Sequence, residues 1–175
     1  MSHVGMHNGQ AIDTLFDEET IRAKVKELGE ILTRDYAGTE LTVLGVLKGS
    51  FVFMADLIRQ IDLPLDVEFL GLSSYAGGTH TSGEVKVTLD LNSPIEGRHV
   101  LVAEDIVDTG HTLSYLLRML QNRNPASLKL CCLLDKPERR TVDVKPEYVG
   151  FTIPNKFVVG YGLDYDELYR NLPYI

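Results

Sequence analysis

The sequence predicts an α/β fold in which helices flank a mostly parallel β-sheet. Short apolar runs of strand character, such as residues 41–47 and 99–103, alternate along the chain with segments whose apolar residues recur at helical spacing, such as residues 20–36 and 112–120. Strands that alternate with helices usually pair in parallel, with helices over both faces of the sheet. The 175 residues contain no internal repeat, low-complexity tract or linker, and therefore predict a single domain, residues 1–175.

The first half of the chain predicts a helix, a strand and a second helix. Residues 20–36 carry apolar side chains on one side with charges between them, follow Asp17 and precede Gly38, which indicates an amphipathic helix with suitable ends. Residues 41–47 are almost continuously apolar, as in a strand that is buried on both faces. Helical spacing returns in residues 51–61.

The second half continues the alternation. Strands are predicted at residues 66–72 and 85–90, on either side of a loop rich in Gly, Ser and Thr. A strand at residues 99–103, a helix at residues 112–120 and a strand at residues 128–134 follow. In an open sheet of this kind, ligands bind at the carboxyl ends of the strands.

The composition excludes several classes of function. The hydrophobic content of 44% and the charged content of 24% are ordinary for a globular protein. The net charge of -8 argues against a nucleic-acid surface, which needs a basic face. No apolar run approaches the length of a membrane span and no signal-peptide pattern is recognised, so we expect no membrane partner and a cytoplasmic location.

Two further segments are expected to take no part in chemistry. Cys131 and Cys132 are adjacent in an apolar run, which indicates core thiols in a reducing compartment rather than a disulfide or a zinc site. Residues 1–12 are polar and contain glycine, so we expect them to be disordered.

Residues 100–112, Val-Leu-Val-Ala-Glu-Asp-Ile-Val-Asp-Thr-Gly-His-Thr, join a buried strand to an acidic cluster and then to a helix. The turn carries hydroxyl groups and a glycine where the first N–H groups of a helix lack intrahelical partners, which suits a phosphate monoester. Glu104 and Asp105 would repel that anion unless a divalent cation and sugar hydroxyls lie between them. The competing interpretation, in which Asp108 caps the helix and the other acids are solvated, explains one residue of the pattern rather than five.

Two acids after an apolar strand, followed by Asp-Thr-Gly-x-Thr, resemble the motif that binds phosphoribosyl pyrophosphate (PRPP) in phosphoribosyltransferases. More narrowly, residues 41–172 resemble the hypoxanthine-guanine phosphoribosyltransferases. The resemblance implies a type I phosphoribosyltransferase fold with a small hood subdomain over the sheet. The N-terminal segment and roughly residues 137–175, which several prolines interrupt, would form the hood.

The resemblance also implies a function in purine salvage. Enzymes of this family are pentosyltransferases, a class of glycosyltransferase, and they move the 5-phosphoribosyl group from PRPP to hypoxanthine or guanine. The products are IMP or GMP and pyrophosphate, and the cofactor is Mg²⁺. Relatives assemble as homodimers or homotetramers, so we expect a homo-oligomer.

For the first motif, the resemblance assigns a role to each residue. Glu104 and Asp105 would hold the ribose hydroxyls, with Mg²⁺ bridging these hydroxyls and the pyrophosphate. Asp108 would act as the general base near N7 of the purine, and His111 would contribute its amide rather than its imidazole. The full set expected to bind PRPP or nucleotide is Glu104, Asp105, Asp108, Thr109, Gly110, His111 and Thr112.

A second segment, Leu47-Lys48-Gly49-Ser50, follows a predicted strand and matches the family's pyrophosphate loop. In the family, the peptide bond that corresponds to Leu47–Lys48 is cis. By spacing alone, a simple strand-to-helix turn would be preferred. The resemblance assigns Lys48, Gly49 and Arg170 to the pyrophosphate.

Ser74 and Tyr75 open the loop of residues 75–83. In the family this loop closes over the site during the reaction and excludes water. As bare sequence it is an ordinary hairpin connection, and only the resemblance makes it a lid.

Recognition of the purine base is assigned to the C-terminal third. Lys136 matches the family lysine that donates to O6, Phe157 would stack on the ring, and the Val158 backbone would bond the pyrimidine edge. Asp164 would bind a second Mg²⁺ while its backbone faces C2. In isolation, a lysine before a proline is usually exposed, and a short aromatic-aliphatic run such as residues 157–159 is usually a core strand.

Asp135 and Gly162 depart from the family pattern, and neither is expected to touch the reacting atoms. Two alternatives remain open. One is a phosphoribosyltransferase that prefers xanthine, because the preference at C2 rests on backbone geometry. The other is a regulatory protein that senses PRPP on the same fold, although the chain lacks a basic patch and retains Asp108.

Overall fold

The computed structural model describes residues 5–7, 10–74 and 85–175. Its strands are β1 Gly5–His7, β2 Gln10–Ile12, β3 Leu41–Leu47, β4 Leu65–Ser74, β5 Val85–Leu89, β6 His99–Val107, β7 Ser127–Asp135 and β8 Tyr148–Thr152. Its helices are α1 Glu18–Asp35, α2 Phe51–Ile58 and α3 His111–Gln121, with a 3-10 turn at Pro137–Arg139. β1 and β2 pair with each other, and the other six strands form the central sheet.

Across the central sheet the strands lie in the order β5-β4-β3-β6-β7-β8. From β3 the chain adds strands toward one edge of the sheet, and from β6 it adds strands toward the other edge. β3 leads through α2 to its parallel neighbour β4, whereas β6 leads through α3 to β7 on the other side. β3 and β6 are themselves parallel neighbours, and β5 runs antiparallel to β4. Since ligands bind in the crevice at such a reversal, the carboxyl ends of β3 and β6 mark the expected position of the site.

Helices cover both faces of the sheet. α1 and α2 pack over one face, and α3 buries Leu113, Leu116 and Leu120 against the other. α1 begins after Asp17, whose carboxylate accepts a hydrogen bond from the Thr20 N–H at 2.8 Å. Among the described residues, none of the helices combines the length and the apolar character needed to cross a membrane. The predicted α/β class is therefore confirmed.

The two acidic residues that follow the predicted strand 99–103 are themselves part of that strand. β3 has the predicted bounds, but β6 continues beyond residue 103 and ends at Val107. Glu104 and Asp105 are therefore strand residues, and Glu104 lies opposite Cys132 of β7. The apolar pattern did not predict this extension, because the pattern ends where charged residues begin in β6. The backbone of β6 nevertheless continues to pair with the backbone of β7.

Part of residues 137–175, which the resemblance assigns to the hood, lies in the central sheet. Tyr148–Thr152 pairs in parallel with β7 and forms the edge of the central sheet. This strand is only five residues long and follows a proline-containing loop, so no clear periodicity distinguished it. The two ends of the described chain do meet, because Phe16 and Ile175 exchange backbone hydrogen bonds of 3.0 and 2.9 Å. The hood as a separate subdomain stays a prediction.

Part of residues 1–12, for which disorder stays a prediction, forms a pair of short strands. Gly5–His7 pairs antiparallel with Gln10–Ile12, with His7 opposite Gln10. The residues between them in sequence are Asn8 and Gly9, a dipeptide strongly favoured in hairpin connections, and this signal was available in the sequence. Residues 1–4 and 8–9 lie outside the described part of the chain.

The two cysteines are free and fully buried, as predicted for core thiols. They occupy the middle of β7, a central position in the sheet. Burial raises the pKa of both thiols. Both side chains are therefore neutral packing groups at physiological pH.

Candidate active site

The loop after β3 lies directly against the acidic end of β6. Its Leu47–Lys48 peptide bond is cis, as the resemblance implied. A Cβ atom at Gly49 would lie 2.0 Å from Oδ2 of Asp105, so a side chain at this position would require the Asp105 carboxylate to move. The backbone of the predicted pyrophosphate loop and the carboxylate of Asp105 are therefore in contact.

A segment from the C-terminal part of the chain, which contains Gly162, also lies against the loop after β3. A Cβ atom at Gly162 would lie 2.2 Å from the carbonyl oxygen of Gly49, and Gly162 has a φ of +98°, a conformation that favours glycine. The sequence predicted only that Gly162 departs from the family pattern and does not touch the reacting atoms. Its role is to let the C-terminal segment approach the loop.

Glu104 and Asp105 are consecutive, partly buried residues near the end of β6. Burial raises the pKa of Glu104 well above its usual range, and the neighbouring Asp105 charge raises it further. Burial also raises the pKa of Asp105 to about 6, although the Ile106 N–H, which donates to its Oδ1 at 2.8 Å, opposes the shift. The charged forms of both carboxyl groups are disfavoured, and a bound cation would stabilise them.

The turn between β6 and α3 is shaped by Gly110. Gly110 precedes the first helical residue with a φ of +88°, and no side chain caps the helix. The alternative in which Asp108 serves as a helix cap is therefore wrong. The first N–H groups of α3, which begins at His111, are left for a ligand in the way that suits a phosphate.

The segment after the 3-10 turn contacts residues 108–110, the turn between β6 and α3, which is called the phosphate turn from here on after its proposed ligand. Arg140 Nε donates to the Asp108 carbonyl oxygen at 3.0 Å, and the Thr141 N–H donates to the Thr109 carbonyl oxygen at 3.1 Å. The Thr141 hydroxyl lies 2.9 Å from Nε2 of His111, so the imidazole has a partner that the sequence did not reveal. These contacts fix the turn in position.

Asp135 supports the same arrangement from within β7. Its carboxylate accepts a hydrogen bond from Nη2 of Arg140, and both side chains are largely buried. Sequence reasoning placed Asp135 away from the reacting atoms and did not assign it a partner. Since Arg140 contacts the backbone of Asp108, Asp135 acts on the turn through Arg140.

Lys136 and Asp108 face each other. Lys136 is only 5% exposed, contrary to the usual exposure of a lysine before a proline, and its N–H donates to the Val107 carbonyl oxygen at 2.9 Å. Its Nζ lies 4.0 Å from Oδ2 of Asp108. Arg139, which sequence reasoning missed, donates from Nε to Oδ1 of Asp108 at 2.9 Å. A buried ammonium group and a carboxylate therefore share one end of the site.

Phe157 is the most exposed of the large apolar side chains, with 74% of its surface accessible. It makes an edge-to-face contact with Tyr165, with ring centroids 5.7 Å apart. Residues 156–159 form no strand, so the interpretation of this run as a core strand is wrong for Phe157, whereas Val158 packs against the core. An exposed aromatic face suits a stacking partner.

The basic residues predicted for pyrophosphate lie in a network of ion pairs. Arg170 Nη2 lies 3.1 Å from Oδ1 of Asp164 and 3.6 Å from Oε1 of Glu167. Lys48 Nζ lies 2.7 Å from Oε2 of Glu167. The structure therefore brings Lys48, Arg170 and Asp164 together, and Glu167 is a member that sequence reasoning missed.

The predicted metal ligands do not form a single cage. Within the described ranges, no three His, Cys, Asp or Glu side chains are grouped so as to hold a metal ion. Glu104 and Asp105 are neighbours, while Asp164 lies against Arg170. Each group supplies carboxylate oxygens, the ligand type that Mg²⁺ prefers.

The predicted lid lies almost entirely outside the described residues. Ser74 is the last residue of β4, and its side chain is not described. Tyr75 and the rest of the loop, residues 75–84, lie outside the described residues. The lid therefore stays a prediction.

The fold and these contacts define a class of protein. A glycine-containing turn at a helix N-terminus, two acids near the end of the preceding strand and a basic loop beside them match the arrangement that the resemblance to phosphoribosyltransferases implies. The model of the phosphoribosyl transferase domain family matches residues 11–166.

Individual relatives narrow the class. The chain is 56% identical to a hypoxanthine-guanine phosphoribosyltransferase of Lactococcus lactis subsp. lactis, over 92% of this chain and 87% of the relative. It is similar to the crystal structure of a hypoxanthine phosphoribosyltransferase of Staphylococcus aureus, with 53% identity, a TM-score of 0.88, and coverage of 92% and 88% of the two chains. A hypoxanthine-guanine phosphoribosyltransferase of Bacillus anthracis gives 51% identity, a TM-score of 0.89, and coverage of 94% and 97%. The chain belongs to the hypoxanthine-guanine phosphoribosyltransferase family.

The raised pKa of Asp105 predicts that this carboxylate destabilises the ligand-free protein at neutral pH. A shift from 3.8 to about 6 means that the folded state binds more protons between these values, so the free energy of unfolding falls as the pH rises through that window. Asp105→Asn should therefore increase the free energy of unfolding at pH 7.5 by at most ~3 kcal/mol and raise Tm accordingly. Near pH 4 the substitution should have little effect on either quantity.

Thermal unfolding at the two pH values measures this difference. Asp143→Asn, at a carboxylate whose side chain is 91% exposed, is the matched control and should leave Tm nearly unchanged. An Asp105→Asn protein no more stable than the wild type at pH 7.5 would contradict the account.

Proposed function

We propose that the protein transfers the 5-phosphoribosyl group of PRPP to hypoxanthine and guanine, which yields IMP or GMP and pyrophosphate. The observation that carries the proposal is the pair formed by the buried Lys136 ammonium and the Asp108 carboxylate, 4.0 Å apart at the start of the phosphate turn. One group can only donate a hydrogen bond and the other can accept a proton. A 6-oxopurine needs both at adjacent positions, at O6 and N7.

Lys136 would select the base. Its ammonium donates to the O6 carbonyl of hypoxanthine or guanine, but the 6-amino group of adenine is itself a donor and offers the ammonium no acceptor on the base. An unpaired buried polar group costs ~1–3 kcal/mol, and more when it is charged. The low exposure of Lys136 therefore supports discrimination in favour of 6-oxo bases.

The purine would be held between Phe157 and the core. Phe157 offers an exposed aromatic face, and the neighbouring Val158 is anchored in the core, which gives its backbone a fixed position for bonds to the base. Tyr165 supports Phe157 from the edge. An exposed aromatic face would offer the base a stacking surface.

Asp108 would accept the proton that leaves the base as the glycosidic bond forms. The phosphate turn that begins with Asp108 would bind the 5′-phosphate through backbone N–H groups and the hydroxyls of Thr109 and Thr112. Arg140 and Thr141 hold the backbone of this turn, so the phosphate and the base would be placed in one fixed relation.

Glu104 and Asp105 would hold the ribose hydroxyls and Mg²⁺. Two adjacent carboxylates fit this ion, because Mg²⁺ is usually bound by one or two carboxylates, with substrate oxygens and water completing its shell. Their raised pKa values indicate a site that favours either a proton or a cation. When bound, Mg²⁺ would neutralise charge on the departing pyrophosphate. Asp164 would serve a second Mg²⁺ in the same way.

Lys48, Gly49 and Arg170 would bind the pyrophosphate. Gly49 brings backbone close to Asp105, and the two basic side chains lie on the same network of ion pairs. We further propose that Ser74 and Tyr75 belong to a lid that excludes water from the cationic ribosyl centre. Water excluded in this way cannot capture the ribosyl group.

We also propose that the protein acts as a homodimer or homotetramer in the cytoplasm. Four large apolar side chains near the end of the sheet formed by β4 and β5 are exposed by 37–45%, which supports a contact with a second copy. The buried free cysteines suit a reducing compartment. The exposed side chains are Phe51, Val67, Phe69 and Leu89.

Purified protein with Mg²⁺ and PRPP should convert hypoxanthine and guanine to nucleotides, as followed by absorbance. Adenine should react at least about tenfold more slowly because of its unmatched amino group. A side-by-side rate comparison with xanthine establishes which 6-oxopurine is preferred. Turnover of adenine at the hypoxanthine rate, or no turnover of any 6-oxopurine, would overturn the proposal.

Asp108→Asn should lower kcat by about 10²- to 10⁴-fold, because the amide cannot accept the proton. PRPP binding should be largely kept, since the amide oxygen can still accept the hydrogen bond from Arg139. Single-turnover rates and PRPP titrations separate the two effects. Unchanged kcat would remove Asp108 from this role, and Asp143→Asn provides the charge-matched control.

A further inference from the structure

Glu167 lies between the two basic side chains that the proposed function assigns to pyrophosphate. Its Oε2 is 2.7 Å from Lys48 Nζ, and its Oε1 is 3.6 Å from Arg170 Nη2. The two oxygens contact different cations, so one carboxylate bridges both. This is the arrangement that an oxygen-rich anionic ligand would adopt with the same two side chains.

The turn that carries Glu167 presents its carboxylate to these cations. The Glu167 N–H donates to Oδ2 of Asp164 at 2.9 Å, and the other oxygen of Asp164 pairs with Arg170. Asp166, Glu167 and Tyr169 have φ values of +50°, +66° and +75°, in the left-handed region that non-glycine residues rarely adopt. Such a backbone persists only where surrounding contacts hold it, and ligand clamps are a common place for it.

We propose that Glu167 is a resident counter-anion of the pyrophosphate site, which weakens the binding of PRPP and pyrophosphate by competing for Lys48 and Arg170. The proposal rests on the proposed function, which assigns these cations to pyrophosphate. An incoming pyrophosphate must displace the carboxylate or share the cations with it. Both reduce its affinity, and both favour release of the product.

The surrounding charges support this role. The Lys48 ammonium beside Glu167 lowers the pKa of this carboxyl, which keeps it anionic at neutral pH. Arg170 retains Asp164 as a partner when Glu167 is neutral, so the local structure has a second support. Glu167 is therefore an affinity-determining residue that acts through the cations.

The test uses the full chain and inorganic pyrophosphate with Mg²⁺ as the probe, measured by titration calorimetry. Glu167→Gln should tighten binding about two- to fivefold, the range set by the loss of one exposed ion pair. KM for PRPP should fall by a similar factor, whereas KM for hypoxanthine should stay unchanged. Glu167→Asn provides a second neutral variant whose side chain tolerates left-handed backbone.

Two comparisons separate this contact from a general effect of charge. Asp166→Asn removes the same charge one residue away, at an exposed side chain for which the described residues show no ion pair, and should change affinity much less. In a Lys48→Gln background, Glu167→Gln should have a smaller effect, since the closer partner is gone.

Equal effects of Glu167→Gln and Asp166→Asn, or a wild-type affinity in both neutral variants at Glu167, would overturn the role of Glu167 while leaving the proposed function intact. A wild-type protein that binds neither pyrophosphate nor PRPP would instead overturn the proposed function and this inference with it.

Discussion

The absence of a side chain at residue 49 is the constraint on which the site depends. β3 and β6 are parallel neighbours whose carboxyl ends open at the reversal of strand order. The loop after β3 lies against Asp105 near the end of β6, and the observed position of the carboxylate depends on Gly49 having no Cβ, which would sit 2.0 Å from it. Gly162 extends the same logic, since its own missing Cβ admits the carbonyl oxygen of Gly49. Two glycines thus bring the proposed pyrophosphate, ribose and base segments to one point.

The distribution of charge explains how a chain with a net charge of -8 can bind a polyanion. The basic side chains of the site, Lys48, Lys136 and Arg170, each lie within 4.0 Å of a carboxylate oxygen. The ligand-free site is therefore largely neutralised from within. Asp105 and its neighbour Glu104 are the opposite case, because burial disfavours their charges. A ligand that carries both phosphates and a divalent cation would satisfy both groups at once.

The sequence predicted those parts of the structure that residues close together in the chain determine. The buried strand β3 has the predicted bounds because a continuous apolar run carries its own signal. Residues 100–112 predicted a strand that leads through a tight turn into a helix, because an apolar run, a glycine and helical spacing follow one another in the sequence. The burial of Lys136 could not be predicted, because it depends on β7 ending beside the phosphate turn. The edge strand β8 was missed because a pairing partner, rather than periodicity, makes it a strand. The contact between Gly49 and Gly162 joins segments far apart in sequence, for which a single sequence carries no signal.

The binding of Mg²⁺-pyrophosphate by Gly49→Ala tests the central claim most directly. The added methyl group must displace either the loop or the Asp105 carboxylate, so the affinity for Mg²⁺-pyrophosphate should fall by more than about tenfold. The buried core should keep the protein folded, which circular dichroism measures. A fall in affinity of this size with secondary structure intact is the expected result. Wild-type affinity in a folded Gly49→Ala protein would contradict it.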